Sequence, residues 1–111
     1  AVSVNTSGSQ TCVITTEHDL ATVTTAGVYV LSVDCNAMTN GTTPDIVELT
    51  IYGKARSSDS ARRVAVYTLI GQQSVGVLFL TVPYVSPHFF KCTLKQTQGT
   101  GRTFPWAIYG T

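Results

Sequence analysis

At 111 residues and a net charge of +1, the chain is long enough for one domain with a real core, and no global field would draw it to nucleic acid or an anionic membrane. Charged residues make up 12% of it, half of the ~25% typical of soluble domains, and Ser, Thr, Gly and Asn fill the gap. A surface that is polar without being charged suits packing among identical copies, where like charges would repel; it equally suits an all-β chain rich in Thr.

Ala1 to Ser9 is small and polar apart from Val2 and Val4. It reads as an extended N-terminal arm, able to add a strand to a neighbour's sheet edge, with a single domain over residues 10–111. Gln10–Thr16 reads as a short strand around Cys12 and Ile14, and Asp19–Thr25 as another strand or a loop. Val28–Cys35 is a clearer strand, with Tyr29, Leu31, Val33 and Cys35 on one face. Asn36–Pro44 is a loop carrying the Asn40-Gly41 turn signal. Ile46–Tyr52 is a strand with Val47, Leu49 and Ile51 inward and Glu48 and Thr50 outward.

Lys54–Arg63 is the only marked charge cluster and holds four of the seven basic residues. Strands flank it, so it reads as a hairpin loop leading into a strand over Arg63–Ile70. After a turn at Gly71–Ser74, the run Val75–Tyr84 is almost continuously apolar and predicts a central strand, covered on both faces. It is too short to span a bilayer. Pro83 and Pro87 bracket a bend.

The last stretch, Phe89–Tyr109, reads as a β-hairpin. Phe90, Cys92 and Leu94 alternate with Lys91, Thr93 and Lys95, and Phe104, Trp106 and Ile108 repeat the pattern beyond the glycine-bearing turn Thr97–Gly101. This apolar face should dominate the core, while Lys91, Lys95 and Arg102 should meet water or a partner. Pro105 lacks an N–H, so the final strand should have a free edge or a bulge there. Seven or eight strands with short turns, and no convincing helical period, predict an all-β antiparallel β-sandwich. A jelly-roll-like arrangement is favoured over an immunoglobulin-like one, because the only Trp lies in the last strand.

Two stretches carry a resemblance. The run Thr93–Tyr109, with its Leu-Lys-Gln-Thr, Gly-Thr-Gly-Arg and Phe-Pro-Trp pieces, resembles the C-terminal signature of a family of short virion proteins of tailed bacteriophages. Gly27–Gly53 is similar to that family's middle segment. The resemblance implies a structural virion protein, a capsid decoration (cement) protein. Its partners would be the major capsid protein and further copies of itself, a trimer being the guess. Its location would be the capsid exterior, after synthesis in the host bacterial cytoplasm.

Chemistry-bearing residues are sparse. Cys12, Cys35 and Cys92 are odd in number and widely spaced, so they read as buried free thiols in a chain made in a reducing compartment; one disulfide with a spare thiol is the alternative. No basic segment followed by an apolar run opens the sequence, which carries the expectation of no signal peptide. Cys92 and His88 would need further ligands to hold a metal. Glu17 with Asp19, or Asp34 with Asp45, could ligate Ca²⁺ but read more simply as solvated loop charges. Gly99-Thr-Gly-Arg precedes a strand and not a helix, so it reads as a turn and not a phosphate loop. No nucleophile constellation is present, and the expectation is a non-enzyme without metal or cofactor. Five tyrosines could form a sugar-stacking platform if several point outward, which keeps a carbohydrate- or receptor-binding module of a phage tail as the alternative function. The interface residues singled out are Val2, Val4, Lys54, Arg56, Arg62 and Arg63.

Overall fold

The computed structural model describes residues 1–73 and 77–111. Among them lie nine strands: β1 (Ser3–Thr11), β2 (Glu17–Val23), β3 (Gly27–Asp34), β4 (Ile46–Gly53), β5 (Arg62–Ile70), β6 (Leu78–Leu80), β7 (Tyr84–Ser86), β8 (Phe90–Gln98) and β9 (Thr103–Gly110). They form two antiparallel sheets in a sandwich-like arrangement. One sheet has the order β1-β9-β3-β6, with β7 also pairing β3; the other has the order β2-β8-β4-β5.

The inward faces follow the period-2 pattern. Leu31 and Val33 of β3, Val47, Leu49 and Ile51 of β4, Cys92 and Leu94 of β8, and Phe104 and Ile108 of β9 are all fully buried. Tyr29 and Phe90 join them, with ring centroids 5.2 Å apart. Each large apolar side chain buried this way contributes about 1.5–3 kcal/mol. Trp106 is only half-buried. Its indole lies across Gly8 of β1, where an added Cβ would come within 3.1 Å of the ring.

The largest correction concerns Phe89–Tyr109, which is not a hairpin. β8 pairs with β2 and β4, whereas β9 pairs with β1 and β3. The connection at 99–102 crosses from one sheet to the other. The two aromatic faces therefore meet across the sandwich interior and not side by side. Alternation determines which face is apolar, and either geometry satisfies it.

The run Val75–Tyr84 is also different from expectation; its first two residues lie outside the described ones. From Leu78 onward it forms two short strands, β6 and β7, on the free edge of β3. This split accounts for a ninth strand beyond the seven or eight expected. At the break, Thr81 replaces the ladder: its N–H donates to the Leu31 carbonyl and its hydroxyl accepts from the Leu31 N–H, both at 3.0 Å. Far from being covered on both faces, the segment exposes Leu78, Leu80, Val82 and Val85.

Residues 3–9, expected within a free arm, are extended but pair with β9 of their own chain from Ser3↔Gly110 to Ser9↔Pro105. The ladder continues to Thr11↔Thr103, so the expected boundary at residue 10 falls inside β1. Residues 12–16, expected to continue a strand, instead turn towards β2. The pairing of β3 with β9 stops at Trp106, which leaves β9 a free side at Pro105.

One buried polar node ties this sandwich at the end where β4 begins. Asp45 is 1% exposed. Its carboxylate accepts from Arg102 Nε (3.0 Å), the Thr39 N–H (2.9 Å), the Thr100 N–H (3.1 Å) and Gln96 Nε2 (3.3 Å). Gln96 Nε2 also donates to the Thr100 carbonyl, and Gln96 Oε1 accepts from the Arg102 N–H. Gly99 has φ +98°, and an added Cβ would collide with Asp45, so glycine is required there on two counts. Arg102, expected to face water or a partner, is instead spent on this ion pair.

Burial alone would raise the pKa of Asp45, but the hydrogen bonds from Thr39, Arg102 and Thr100 outweigh it and hold the carboxyl below its ordinary value. A carboxylate depressed in the folded state stabilises the fold above its unfolded pKa of about 4. That stability is lost as pH falls through the folded pKa. Asp45→Ala should cost about 3–5 kcal/mol in denaturant unfolding at neutral pH, because it leaves Arg102 unpaired. The gap between wild type and variant should narrow as the pH is lowered below the unfolded value. A pH-independent gap would show that the charge of Asp45 is not what stabilises the fold.

Candidate functional site

The charged side chains are distributed unevenly between the sheets. The strands of the five-stranded sheet carry a single one, Asp34, whereas those of the four-stranded sheet carry seven. On the outer face of the four-stranded sheet, Glu17 Oε2 accepts from the Tyr52 hydroxyl (2.7 Å) and the Thr93 hydroxyl (2.6 Å). The Thr93 and Tyr52 hydroxyls hold Glu17 below the usual carboxylate range. Glu17 and Tyr52 line, with Glu48, Thr50, Arg63 and Lys95, a polar depression of about 150 Å³. Opposite charges are interleaved there, and the Tyr52 hydroxyl is already engaged.

The carboxylate pairs weighed as Ca²⁺ ligands are not assembled, and Asp45, expected to be a solvated loop charge, is instead buried. Asp45 is committed to Arg102, Asp34 accepts the Asn36 N–H, and Asp19 pairs with Lys91 at 3.4 Å. Among the described residues no group of three or more His, Cys, Asp or Glu side chains is placed to hold a metal ion. Gly99–Arg102 forms the crossover at the Asp45 node, with its Thr100 N–H already donated to Asp45.

The tyrosines do not line up as a platform. Tyr29 is in the core, Tyr52 is bonded to Glu17, and Tyr109 donates to Ser32 at 3.2 Å within the five-stranded sheet. Tyr67 and Tyr84 bond to each other through their hydroxyls. Burial and that bond push Tyr84 up to about 12.

The interface residues named from sequence fall in two separate places. Val2 and Val4 are exposed beside the β1 edge. The basic residues sit on the β4–β5 loop and the first turn of β5, on the opposite flank of the sandwich. Within that loop Arg56 makes a two-pronged contact with Asp59 (Nε to Oδ2 3.0 Å, Nη2 to Oδ1 2.9 Å), and Lys54 lies 4.5 Å above the Phe89 ring. Much of the cluster's charge is thus engaged locally. Arg62 and Arg63 remain exposed at the start of β5.

What sequence reasoning missed is the flank that β5 shares with β6 and β7. Of the twelve exposed large hydrophobic side chains among the described residues, eight belong to β5 or to Val77–Val85. On β5 they are Val64, Val66 and Ile70, alternating with the inward Tyr67 and Leu69. Tyr67 packs edge-on against Phe79, centroids 5.3 Å apart, and its bond to Tyr84 closes the flank from within. That Val64 and Val66 alternate with Ala65, Tyr67 and Leu69 was readable in the sequence; which set faces outward, and that among the described residues no strand lies beyond β5, was not. Comparison with known proteins adds no assignment: no protein family, curated protein or solved structure matches this chain.

All three cysteines are free and buried. Burial pushes the Cys12 and Cys35 thiols up to about 11 and Cys92 up to about 12. Thiolate is the reactive form, so a maleimide should label none of them appreciably in the native protein at neutral pH and all three after unfolding. Rapid native labelling at any of the three would show that its strand opens locally.

Proposed function

We propose that this chain is a structural protein of a tailed-phage virion that decorates and stabilises the capsid through protein–protein contacts. The observation that carries the reading is the concentration of exposed aliphatic side chains on β5, β6 and β7, with Val66 and Ile70 on the outer face of the four-stranded sheet beside its mixed charges and Leu80 and Val85 on the outer face of the five-stranded one. Such a surface is suited to being covered by protein: the aliphatic side chains supply area, and the charged ones supply orientation. The resemblance of Thr93–Tyr109 to the phage family's C-terminal signature agrees with it, and the signature residues Gln96, Gly99, Thr100 and Arg102 have a shared structural use at the Asp45 node.

The finer reading of the sandwich as a jelly roll is part of the same proposal. A strand order of β1-β9-β3-β6/β7 over β2-β8-β4-β5 is the order that two successive Greek keys generate, with consecutive strands alternating between sheets through most of the chain. The partners on this reading are the major capsid protein and further copies of the chain, on the capsid exterior, with no catalytic role. Val2 and Val4 on one flank, and Lys54, Arg56, Arg62 and Arg63 on the other, are the contacts proposed to reach neighbouring subunits.

Quantitative mass spectrometry of purified virions tests this. The expected result is a copy number comparable with that of the major capsid protein, with the protein released as intact subunits when capsids are stripped. A handful of copies per particle would move it to the tail, and absence from the particle would overturn the reading.

A further inference from the structure

On the outer face of the five-stranded sheet, a shallow depression of about 270 Å³ lies along the seam between β3 and β9. Register explains its shape. Ser32 stands opposite Ala107, and both side chains are small, so they form a low floor. Tyr109 bounds one end, beside Val30. Asp34 and Pro105 bound the other, and Leu78, opposite Asp34 on β6, forms the side.

Tyr109 does not stand upright on this face. Its hydroxyl donates to Ser32 Oγ at 3.2 Å, and Ser32 is its diagonal neighbour, opposite the residue two positions before it. Diagonal neighbours on a sheet are about 7–8 Å apart, a gap that a tyrosine bridges only by lying down. The ring therefore crosses the sheet surface with one face on the floor and the other towards solvent. Ser32 records the consequence: it points outward and is still only 2% exposed. Tyr109 itself is half-buried, as a ring covered on one face is. Asp34 has Oδ1 engaged by the Asn36 N–H at 3.0 Å, while Oδ2 accepts no hydrogen bond among the described residues.

We propose that this depression binds a neutral sugar unit, stacked on the open face of the Tyr109 ring and donating hydroxyls to Asp34. A pyranose has an apolar face of C–H groups and an edge of hydroxyls. The depression offers the counterpart of each: an aromatic face continued by Leu78 and Pro105, and a carboxylate oxygen still open to donors. Its volume sits just below the range of pockets for drug-sized ligands, which suits one small polyol. Charge selects against other occupants. The strands of this sheet carry no Lys or Arg, and Arg102, just before β9, is committed to Asp45. An anionic ligand would meet only repulsion from Asp34. An ammonium ligand would find one ring in the open, whereas its recognition uses a cage of several. The site is independent of the capsid role proposed above, and Tyr109 serves it without the row of tyrosines that a longer glycan would need.

The test is an amide chemical-shift titration of the full-length protein with the methyl glycosides of glucose, galactose, mannose and N-acetylglucosamine. Concentrations reach about 50 mM, because a small open site binds in the millimolar range. At least one glycoside is expected to give saturable shifts confined to the β3–β9 seam and Leu78, unchanged between about 0.05 and 0.5 M salt. Tyr109→Ala is expected to weaken that binding about tenfold through lost stacking, and Asp34→Ala about tenfold through the lost acceptor. Leu78→Glu alters a rim side chain 49% exposed; it should block the site with the fold intact, so the test does not hang on either seam variant folding. Thr68→Ala, on the other sheet, should bind as wild type does. No saturable shift with any of the glycosides, shifts centred elsewhere, or Leu78→Glu binding like wild type overturns the assignment. So does tetramethylammonium binding in place of the sugars and lost at high salt. None of these outcomes alters the copy number in virions, so this assignment and the structural reading fail separately.

Discussion

A carboxylate cannot be buried alone, and the architecture at one end of this sandwich follows from that constraint. Asp45 is 1% exposed, and its charge is met by the Arg102 guanidinium and by N–H groups of Thr39 and Thr100. Those donors come from separate connections: the one between β3 and β4, and the crossover between β8 and β9. The Asp45 carbonyl also accepts the Gly71 N–H at 2.7 Å, which fastens the turn after β5. The desolvation cost of the buried pair is several kcal/mol per ion and is repaid only when the remaining hydrogen-bonding positions are filled. Gln96 fills them, bridging Asp45, the Thr100 carbonyl and the Arg102 N–H. The node thus specifies where β8 ends and how the chain crosses to the other sheet.

Once the crossover is set, the rest of the surface is distributed by topology. β9 passes into the middle of the five-stranded sheet, between β1 and β3. β8 passes into the middle of the other sheet, between β2 and β4. The strands left at the edges are then β1 and β2 on one flank and β5 with β6/β7 on the other. The first flank is polar and carries Glu17 and Asp19; the second holds most of the exposed aliphatic side chains. A low overall charge therefore does not mean a uniform surface. It leaves an apolar flank whose hydration is the most costly to maintain, and that asymmetry underlies the structural role proposed for the chain.

The legible parts of the sequence were those carried by periodicity. The inward set Val47, Leu49 and Ile51, the Tyr29–Cys35 face and the β4–β5 hairpin around Lys54–Arg63 all follow from alternation and turn composition. The buried state of the three cysteines followed from their apolar settings. The candidate site was less legible. Arg102 reads as a free surface charge until Asp45, 57 residues away in sequence, is placed beside it. Val64, Val66 and Ile70 read as one face of an ordinary strand until it is known that β5 is an edge.

By itself the sequence determined that the protein is all-β, which side chains of β3, β4 and β8 point inward, and that the chain is poor in charge. Those properties are local: they depend on the two-residue period of a strand and on composition. Only the tertiary structure decided which strands are neighbours. It moved Phe90–Gln98 and Thr103–Gly110 into different sheets, placed residues 3–9 on β9, and left the apolar run after Val77 broken on an edge. The physical reason is that a strand's alternation is satisfied equally by any partner that covers its inward face. The choice among partners is made by long-range pairing and by the few buried polar groups, Asp45 above all, that tolerate one arrangement of donors.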